Sequence, residues 1–161
     1  VVTALGYTLF YSAFLGSLLC FLIWNWSPAK LFMGDVGSTY LGALYGGIVL
    51  LAPSWQMCMQ LLLLLFPLLG DTSICIFRRL LAGHNIFAPH RLHLYQRLTL
   101  NGWSHSGVSC IYITGVLILS LAFYSGSISS FYLAIFFELL VGIILDRRYA
   151  VPFSFVSEGS C

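Results

Sequence analysis

A short segment near the start of the chain combines a carboxylate with two flanking glycines. Its residues are Gly34-Asp35-Val36-Gly37-Ser38, and an apolar stretch follows directly. A glycine turn that opens a helix points backbone N–H groups at an anion, and a carboxylate beside it holds a divalent cation. The segment therefore predicts a phosphate or metal site. A capped loop at a membrane edge is the alternative that the spacing leaves open.

A second polar segment carries two histidines and an arginine at helical spacing. Pro89 suits the first turn of a short helix. On that helix His90, His93 and Arg97, at positions i, i+3 and i+7, share one face. Such a face donates hydrogen bonds to a diphosphate and neutralises charge that shifts during transfer. A zinc ion is the alternative occupant of this face. A fourth zinc-coordinating residue is missing, however, and the nearest thiol, Cys75, lies in an apolar run, so we favour the diphosphate.

Two further carboxylates are candidate site residues. Asp71 lies near the membrane end of a predicted helix that runs on to Arg78 and Arg79, where it could orient one of these arginines, cap a helix or contact substrate. Glu138 lies inside the last apolar stretch, roughly seven residues or ~10 Å from its cytosolic edge. An intramembrane carboxylate is a functional candidate, and a Glu packed against a polar group of another helix is the alternative. The chain has no adjacent pair of acidic residues.

Membrane-spanning helices must position these segments. The chain is 60% hydrophobic and 7% charged, with a mean hydropathy of +0.95, far from the roughly 25% charged residues of a soluble domain. A membrane-spanning helix needs ~20 apolar residues. The uncharged stretch of residues 1–29 is long enough for one such helix, and residues 36–70 and 106–137 are predicted to form two helices each. Turns are predicted at Ala52-Pro53-Ser54 and Ser125-Gly126-Ser127. The predicted fold is all-α, a single membrane domain of residues 1–161 with about five spans.

The basic residues predict the topology. All seven Lys and Arg residues fall in three polar islands between the apolar stretches. Lys and Arg mark the cytosolic side of short loops, and an even number of crossings separates the islands, so we expect every island in the cytosol. The cytosolic parts are predicted at about residues 25–37, 71–105 and 146–161. The small net charge of +2 suits anionic headgroups and phosphate ligands and gives no nucleic-acid signal.

The stretch Asn25 to Gly42, NWSPAKLFMGDVGSTYLG, strongly resembles the aspartate-bearing loop of the polyprenyl-phosphate HexNAc-1-phosphate transferases. This resemblance implies that Asp35 is a ligand of Mg²⁺ (or Mn²⁺), that Asn25 contacts the nucleotide and that Phe32 stacks on uracil. Gly34, next to the aspartate, is expected to lie at the bound substrate. The implied enzyme is a magnesium-dependent phospho-sugar transferase.

The histidine segment is similar to the same family. The form HRLHLYQRL resembles the subset that begins O-antigen or related surface polysaccharides, whereas the peptidoglycan enzymes carry three consecutive histidines. PLLGDT, which contains Asp71, resembles an element of that subset. His90, His93 and Arg97 are therefore expected to be catalytic, with Arg91 as a substrate contact.

The resemblance implies a reaction and a location. The family moves HexNAc-1-phosphate from a UDP-sugar to polyprenyl phosphate, releasing UMP, in the bacterial cytoplasmic (inner) membrane. A homodimer is one of the oligomeric states that the sequence allows. Family members carry an aspartate pair in earlier loops that this chain lacks, and Val1 replaces Met, so we expect the C-terminal half of a larger enzyme, inactive alone. A non-catalytic assembly subunit and a transporter are the alternatives.

Overall fold

The computed structural model describes residues 2–85, 88 and 90–153 of the 161-residue chain. All regular structure in those residues is helical, which confirms the predicted all-α class. The helices are α1 (Val2–Asn25), α2 (Gly34–Leu50), α3 (Trp55–Leu64), α4 (Phe66–Leu81), α5 (Leu94–Leu100), α6 (His105–Tyr124) and α7 (Ile128–Arg148). Contacts group the chain into two units, residues 1–47 and 48–161, and each is described by itself.

The helix α6 and the helix α7 form a hairpin in the second unit. Ser104 and Ser127 cap the two N-termini, and their hydroxyls accept hydrogen bonds from the N–H groups of Gly107 (3.1 Å) and Ser130 (3.3 Å). Between the helices, Gly126 has a φ of 70°, which reverses the chain at little steric cost. This hairpin confirms the predicted fourth and fifth helices and places their turn correctly.

A sharp bend separates α3 from α4. Their axes differ by 81° across the break at Leu65. Pro67, in the first turn of α4, has no N–H group to donate to the preceding turn and cannot continue α3 as a regular helix. The expected single third helix is thus divided into two at Leu65, and its second part stays helical to Leu81, past Arg78 and Arg79.

Three of the described helices are long and apolar enough to cross a membrane, namely α1, α6 and α7, and the number rises to four if the bent pair counts as one span. The helix α2 has 17 residues and is shorter than these. The expected five spans are thus not reached among the described residues. The helical membrane bundle itself is confirmed.

Candidate active site

The segment around Asp35 opens α2 in the first unit. Gly34 is the first residue of the helix and has a φ of 67°, a conformation that favours glycine. Asp35 follows in the first helical turn, where a negative charge interacts favourably with the helix dipole. Its side chain is exposed, and no hydrogen bond or ion pair engages the carboxylate within the described part of the chain. The carboxylate is therefore free to bind a cation.

Hydrogen bonds close the loop ahead of α2. The amide of Asn25 donates to the carbonyl of Leu31 (2.8 Å), and the N–H groups of Lys30 and Leu31 donate to the carbonyl of Trp24 (2.9 and 3.2 Å). Asn25, the last residue of α1, thus holds the loop in place through its NH₂ group. Phe32 is 77% exposed, as a stacking surface requires.

The histidines of the second unit lie just before a helix. The helix α5 begins at Leu94, His93 is its N-cap residue, and His90 lies in the non-helical segment ahead of it. The predicted helix start at Pro89 lies outside the described residues. The prediction that His90, His93 and Arg97 share one helical face is wrong, because only Arg97 lies within α5. The two imidazole rings are nevertheless neighbours, with centroids 5.0 Å apart.

Asp71 explains where α5 begins. Its Oδ1 accepts a hydrogen bond from the N–H of Leu94 (2.8 Å), and its Oδ2 accepts one from the hydroxyl of Tyr112 (3.0 Å). Oδ2 also lies 3.9 Å from Nδ1 of His93, and the Asp71 side chain is only 8% exposed. Among the roles proposed for Asp71 from the sequence, capping a helix is the one that the structure shows.

Arg97 points into the protein. It is 3% exposed, and its guanidinium donates to Asp146, to the carbonyl of Leu92 (3.2 Å) and to the carbonyl of Val151 (2.9 Å). Arg78 donates two hydrogen bonds to the same carboxylate, from Nη1 to Oδ1 (3.0 Å) and from Nη2 to Oδ2 (2.7 Å). The expectation that Arg97 grips a diphosphate does not fit this geometry, because its charge is already paired with Asp146. Arg91, by contrast, is exposed.

Arg79 and a helix C-cap shape the segment between α4 and the histidines. Gly83, with a φ of 71°, and His84 donate their N–H groups to the carbonyls of Leu80 (3.1 Å) and Arg79 (3.0 Å), which is the Schellman pattern. The buried Arg79 guanidinium then donates to the carbonyls of Asn85 and Ala88, the latter at 3.2 Å. Sequence reasoning gave Arg79 no site role, and no local pattern signals one.

The surroundings favour a neutral His90. Burial, and then the positive charge of Arg79 and the neighbouring His93, lower the pKa of His90 from its ordinary value of 6.5. Its Nδ1 accepts a hydrogen bond from the N–H of Leu92 at 3.4 Å, which also suits a neutral ring. His90 is thus better suited to donating one hydrogen bond than to supplying a positive charge.

A cavity of about 180 Å³ lies in the second unit, beside these groups. Its lining includes the side chains of Asp71, Asp146 and Glu138 together with apolar residues of α4, α6 and α7. Glu138 packs against the bare backbone of Gly115, where an added Cβ would lie 2.8 Å from Oε2 of the carboxylate. Glu138 therefore faces other helices, as in the packed alternative, while also lining a cavity.

Cys75 lies beside the histidines. It is 3% exposed, and its Sγ and one ring nitrogen each of His90 and His93 lie within 4.8 Å of one another. Cys75 lies in an apolar run of α4, as expected, but it was not expected beside the histidines, where α4 places it one turn after Asp71.

Comparison with known proteins gives a family and several relatives. Residues 1–53 match the family model described as glycosyl transferase family 4. The chain is 36% identical over 111 residues to the probable undecaprenyl-phosphate N-acetylglucosaminyl 1-phosphate transferase of Bacillus subtilis, covering 63% of this chain and 30% of that protein. It is 34% identical over 121 residues to the phospho-N-acetylmuramoyl-pentapeptide-transferase of Carboxydothermus hydrogenoformans, covering 72% and 35%.

A third relative is the decaprenyl-phosphate N-acetylglucosaminephosphotransferase of Mycobacterium leprae, with 33% identity over 109 residues, which is 58% of this chain and 27% of that protein. The chain spans about a third of the length of these relatives. No solved structure matches it.

Proposed function

Because this chain belongs to glycosyl transferase family 4, we propose that the protein containing it transfers a HexNAc-1-phosphate from a UDP-sugar to a polyprenyl phosphate and releases UMP. The observation that carries the proposal is the exposed Asp35 carboxylate, which stands unpaired at the glycine-flanked start of α2 within the segment that matches the family. An acceptor phosphate is already anionic and needs no strong base. The chemistry therefore depends on positioning and charge neutralisation.

Asp35 fits a magnesium ligand by its donor chemistry. Mg²⁺ prefers oxygen ligands and usually keeps several waters, bound through one or two carboxylates together with substrate phosphates. A single exposed carboxylate at a helix start meets that description, and the helix N-terminus beside it favours the phosphates. Once bound, the ion would neutralise charge on the diphosphate. Within the first unit, Asp35 would bind the metal ion and the exposed ring of Phe32 would stack on the uracil.

His90 and His93 serve the diphosphate in the second unit. Each ring supplies a hydrogen-bond donor, and Asp71 fixes the start of α5 and thereby the position of His93. Exposed Arg91 supplies the positive charge that Arg97 cannot, because Arg97 is paired with Asp146. Arg97 thus has a positioning role, since it ties α5 to α7.

The membrane setting follows from the substrates. A lipid acceptor and a soluble nucleotide sugar meet at the membrane surface, and the positions of Lys and Arg put the polar segments on the cytosolic side. We extend the proposal to a surface polysaccharide of the O-antigen kind, since HRLHLYQRL lacks the three consecutive histidines of the peptidoglycan enzymes. The relatives include both GlcNAc-1-phosphate and pentapeptide transferases, so the sugar itself needs measurement.

Radiolabelled transfer tests the proposal. Membranes containing the complete protein should move label from UDP-GlcNAc, or from another UDP-HexNAc, into an organic-extractable lipid when polyprenyl phosphate is present. Asp35→Asn should abolish the label, and Asp35→Glu should retain part of it because a carboxylate remains. Normal amounts of protein in the membrane without any lipid label from a panel of UDP-HexNAc donors would favour an assembly subunit. Labelled sugar trapped unchanged inside vesicles would favour a transporter.

A further inference from the structure

The proposed sugar-phosphate transfer gives no role to Cys75, although this thiol lies beside the two histidines. Cys75 extends from α4 toward the segment that carries His90 and His93, and the three ligand atoms lie within 4.8 Å of one another. A thiolate and imidazoles are the ligands that zinc prefers, at about 2.3 Å for sulfur and about 2.0–2.1 Å for nitrogen. In a tetrahedral site those bonds put the ligand atoms roughly 3.3–3.6 Å apart. The observed spacing therefore needs only a small inward movement of the side chains.

The surrounding contacts hold the cluster in place. Asp71, one helical turn before Cys75, binds the N–H of Leu94 and so fixes the residue that follows His93. Arg79 holds the carbonyl of Ala88, two residues before His90. Both histidines are thus anchored to the helix that presents the thiol. A metal site needs this kind of preorganisation, because loosely held ligands lose affinity.

The second observation is an unsatisfied polar atom. Nδ1 of His93 is buried and has no hydrogen-bond partner among the described residues. A buried polar atom without a partner costs about 1–3 kcal/mol, so such atoms are rare in native structures and require an explanation. The carboxylate of Asp71 lies 3.9 Å from this nitrogen. A carboxylate that faces one ring nitrogen commonly orients the histidine so that its other nitrogen binds a metal, which is the explanation adopted here for Nδ1 of His93.

We propose that Cys75, His90 and His93 form a binding site for Zn²⁺ or a similar soft divalent cation. Each histidine gives one ring nitrogen, and Cys75 binds as a thiolate after releasing its proton to solvent. The fourth position is open to water or to a phosphate oxygen. The thiolate and the neighbouring Asp71 carboxylate supply negative charge that offsets part of the charge of the ion. This site is chemically distinct from Asp35, whose oxygen donors suit magnesium.

The inference goes beyond the proposed transferase function and does not depend on it. If the same imidazoles also contact the diphosphate, an ion held there competes with substrate. Zinc would then inhibit transfer, while magnesium would support it. Metal binding can be measured without any transfer assay, so failure of one proposal is distinguishable from failure of the other.

Cobalt and zinc titrations of the purified complete protein, after treatment with EDTA, test the site. Cobalt should bind with one equivalent per chain at this site and give a near-ultraviolet thiolate charge-transfer band, which zinc then displaces. Cys75→Ser should remove the band. Its matched control, Cys58→Ser on α3, should keep it, because Cys58 lies outside the cluster.

Zinc-affinity measurements on variants of His93 and Asp71 complete the test. His93→Ala should weaken zinc binding by more than the ~10- to 100-fold expected for loss of the outer-shell carboxylate in Asp71→Asn. His105→Ala, which removes an exposed histidine at the start of α6, should leave the affinity unchanged. Cobalt that binds without a thiolate band, or no tight binding at all, overturns the proposal. The wild-type spectrum decides this point even if Cys75→Ser fails to fold.

Discussion

Replacing Asp146 tests how the second unit is held together. Asp146→Asn keeps the side-chain size but removes the charge that pairs with Arg97 and Arg78. The Arg97 side chain is 4% exposed and the Asp146 side chain 18%. Removing one partner of a buried pair leaves an uncompensated buried charge and costs about 3–5 kcal/mol. We therefore expect a large loss of stability although no substrate contact is touched.

The same geometry predicts a much smaller effect at the other arginine. The Arg78 side chain is 37% exposed, so water replaces much of the ion pair when it is lost. Arg78→Gln should cost no more than about 1 kcal/mol, as exposed pairs do. For a cooperative unit of about this chain's length, ~2–4 °C per kcal/mol predicts that the midpoint falls by about 6–20 °C in Asp146→Asn and by at most about 4 °C in Arg78→Gln.

Thermal unfolding of the purified complete protein in detergent measures both shifts. Arg147→Gln is the matched control, since it removes an exposed charge from the next residue of α7. The double variant Asp146→Leu with Arg97→Met should be more stable than Asp146→Leu alone, because no buried charge is then left unpaired. Equal shifts for Asp146→Asn and Arg147→Gln would refute the reasoning, as would a larger shift for Arg78→Gln.

Three further outcomes follow. Asp35→Asn should remove nearly all turnover yet move the unfolding midpoint by only ~1–2 °C, as for surface substitutions, because the carboxylate is exposed and unpaired; a large midpoint shift would show a structural role instead. His90→Ala and His93→Ala should each lower turnover ~10- to 1000-fold, the range for loss of one preorganised donor, and wild-type rates would remove both from the site. A cysteine at Ser54 in a cysteine-free background should react with an impermeant thiol reagent added outside cells, whereas one at His84 should not; the reverse pattern would invert the topology.

The sequence predicted the features that depend on local pattern. Apolar length and charge placement indicate the helices, and serines with glycine mark the turn between α6 and α7. The bend before α4 was also readable, because Pro67 lies inside the expected third span and proline interrupts a helix.

The remaining features depend on contacts between distant residues. The start of α5 is set by Asp71, which lies 23 positions before Leu94, so helical spacing alone misplaces the histidines. Arg97 forms an ion pair with Asp146, which lies 49 positions further along the chain. In the sequence, an arginine near histidines indicates a phosphate site, but in the structure the charge of Arg97 is paired with the Asp146 carboxylate. No periodicity in one sequence reveals such pairs.

The most direct test of the central claim follows the phosphorus atoms of the donor. A UDP-HexNAc labelled with ³²P in the β-phosphate is incubated with the complete protein, Mg²⁺ and polyprenyl phosphate. Transfer of a sugar-1-phosphate carries the β-phosphorus into the lipid fraction together with the sugar and leaves unlabelled UMP in the aqueous phase. If the sugar enters the lipid while the ³²P stays soluble as UDP, the protein transfers only the sugar, and the proposed reaction is wrong.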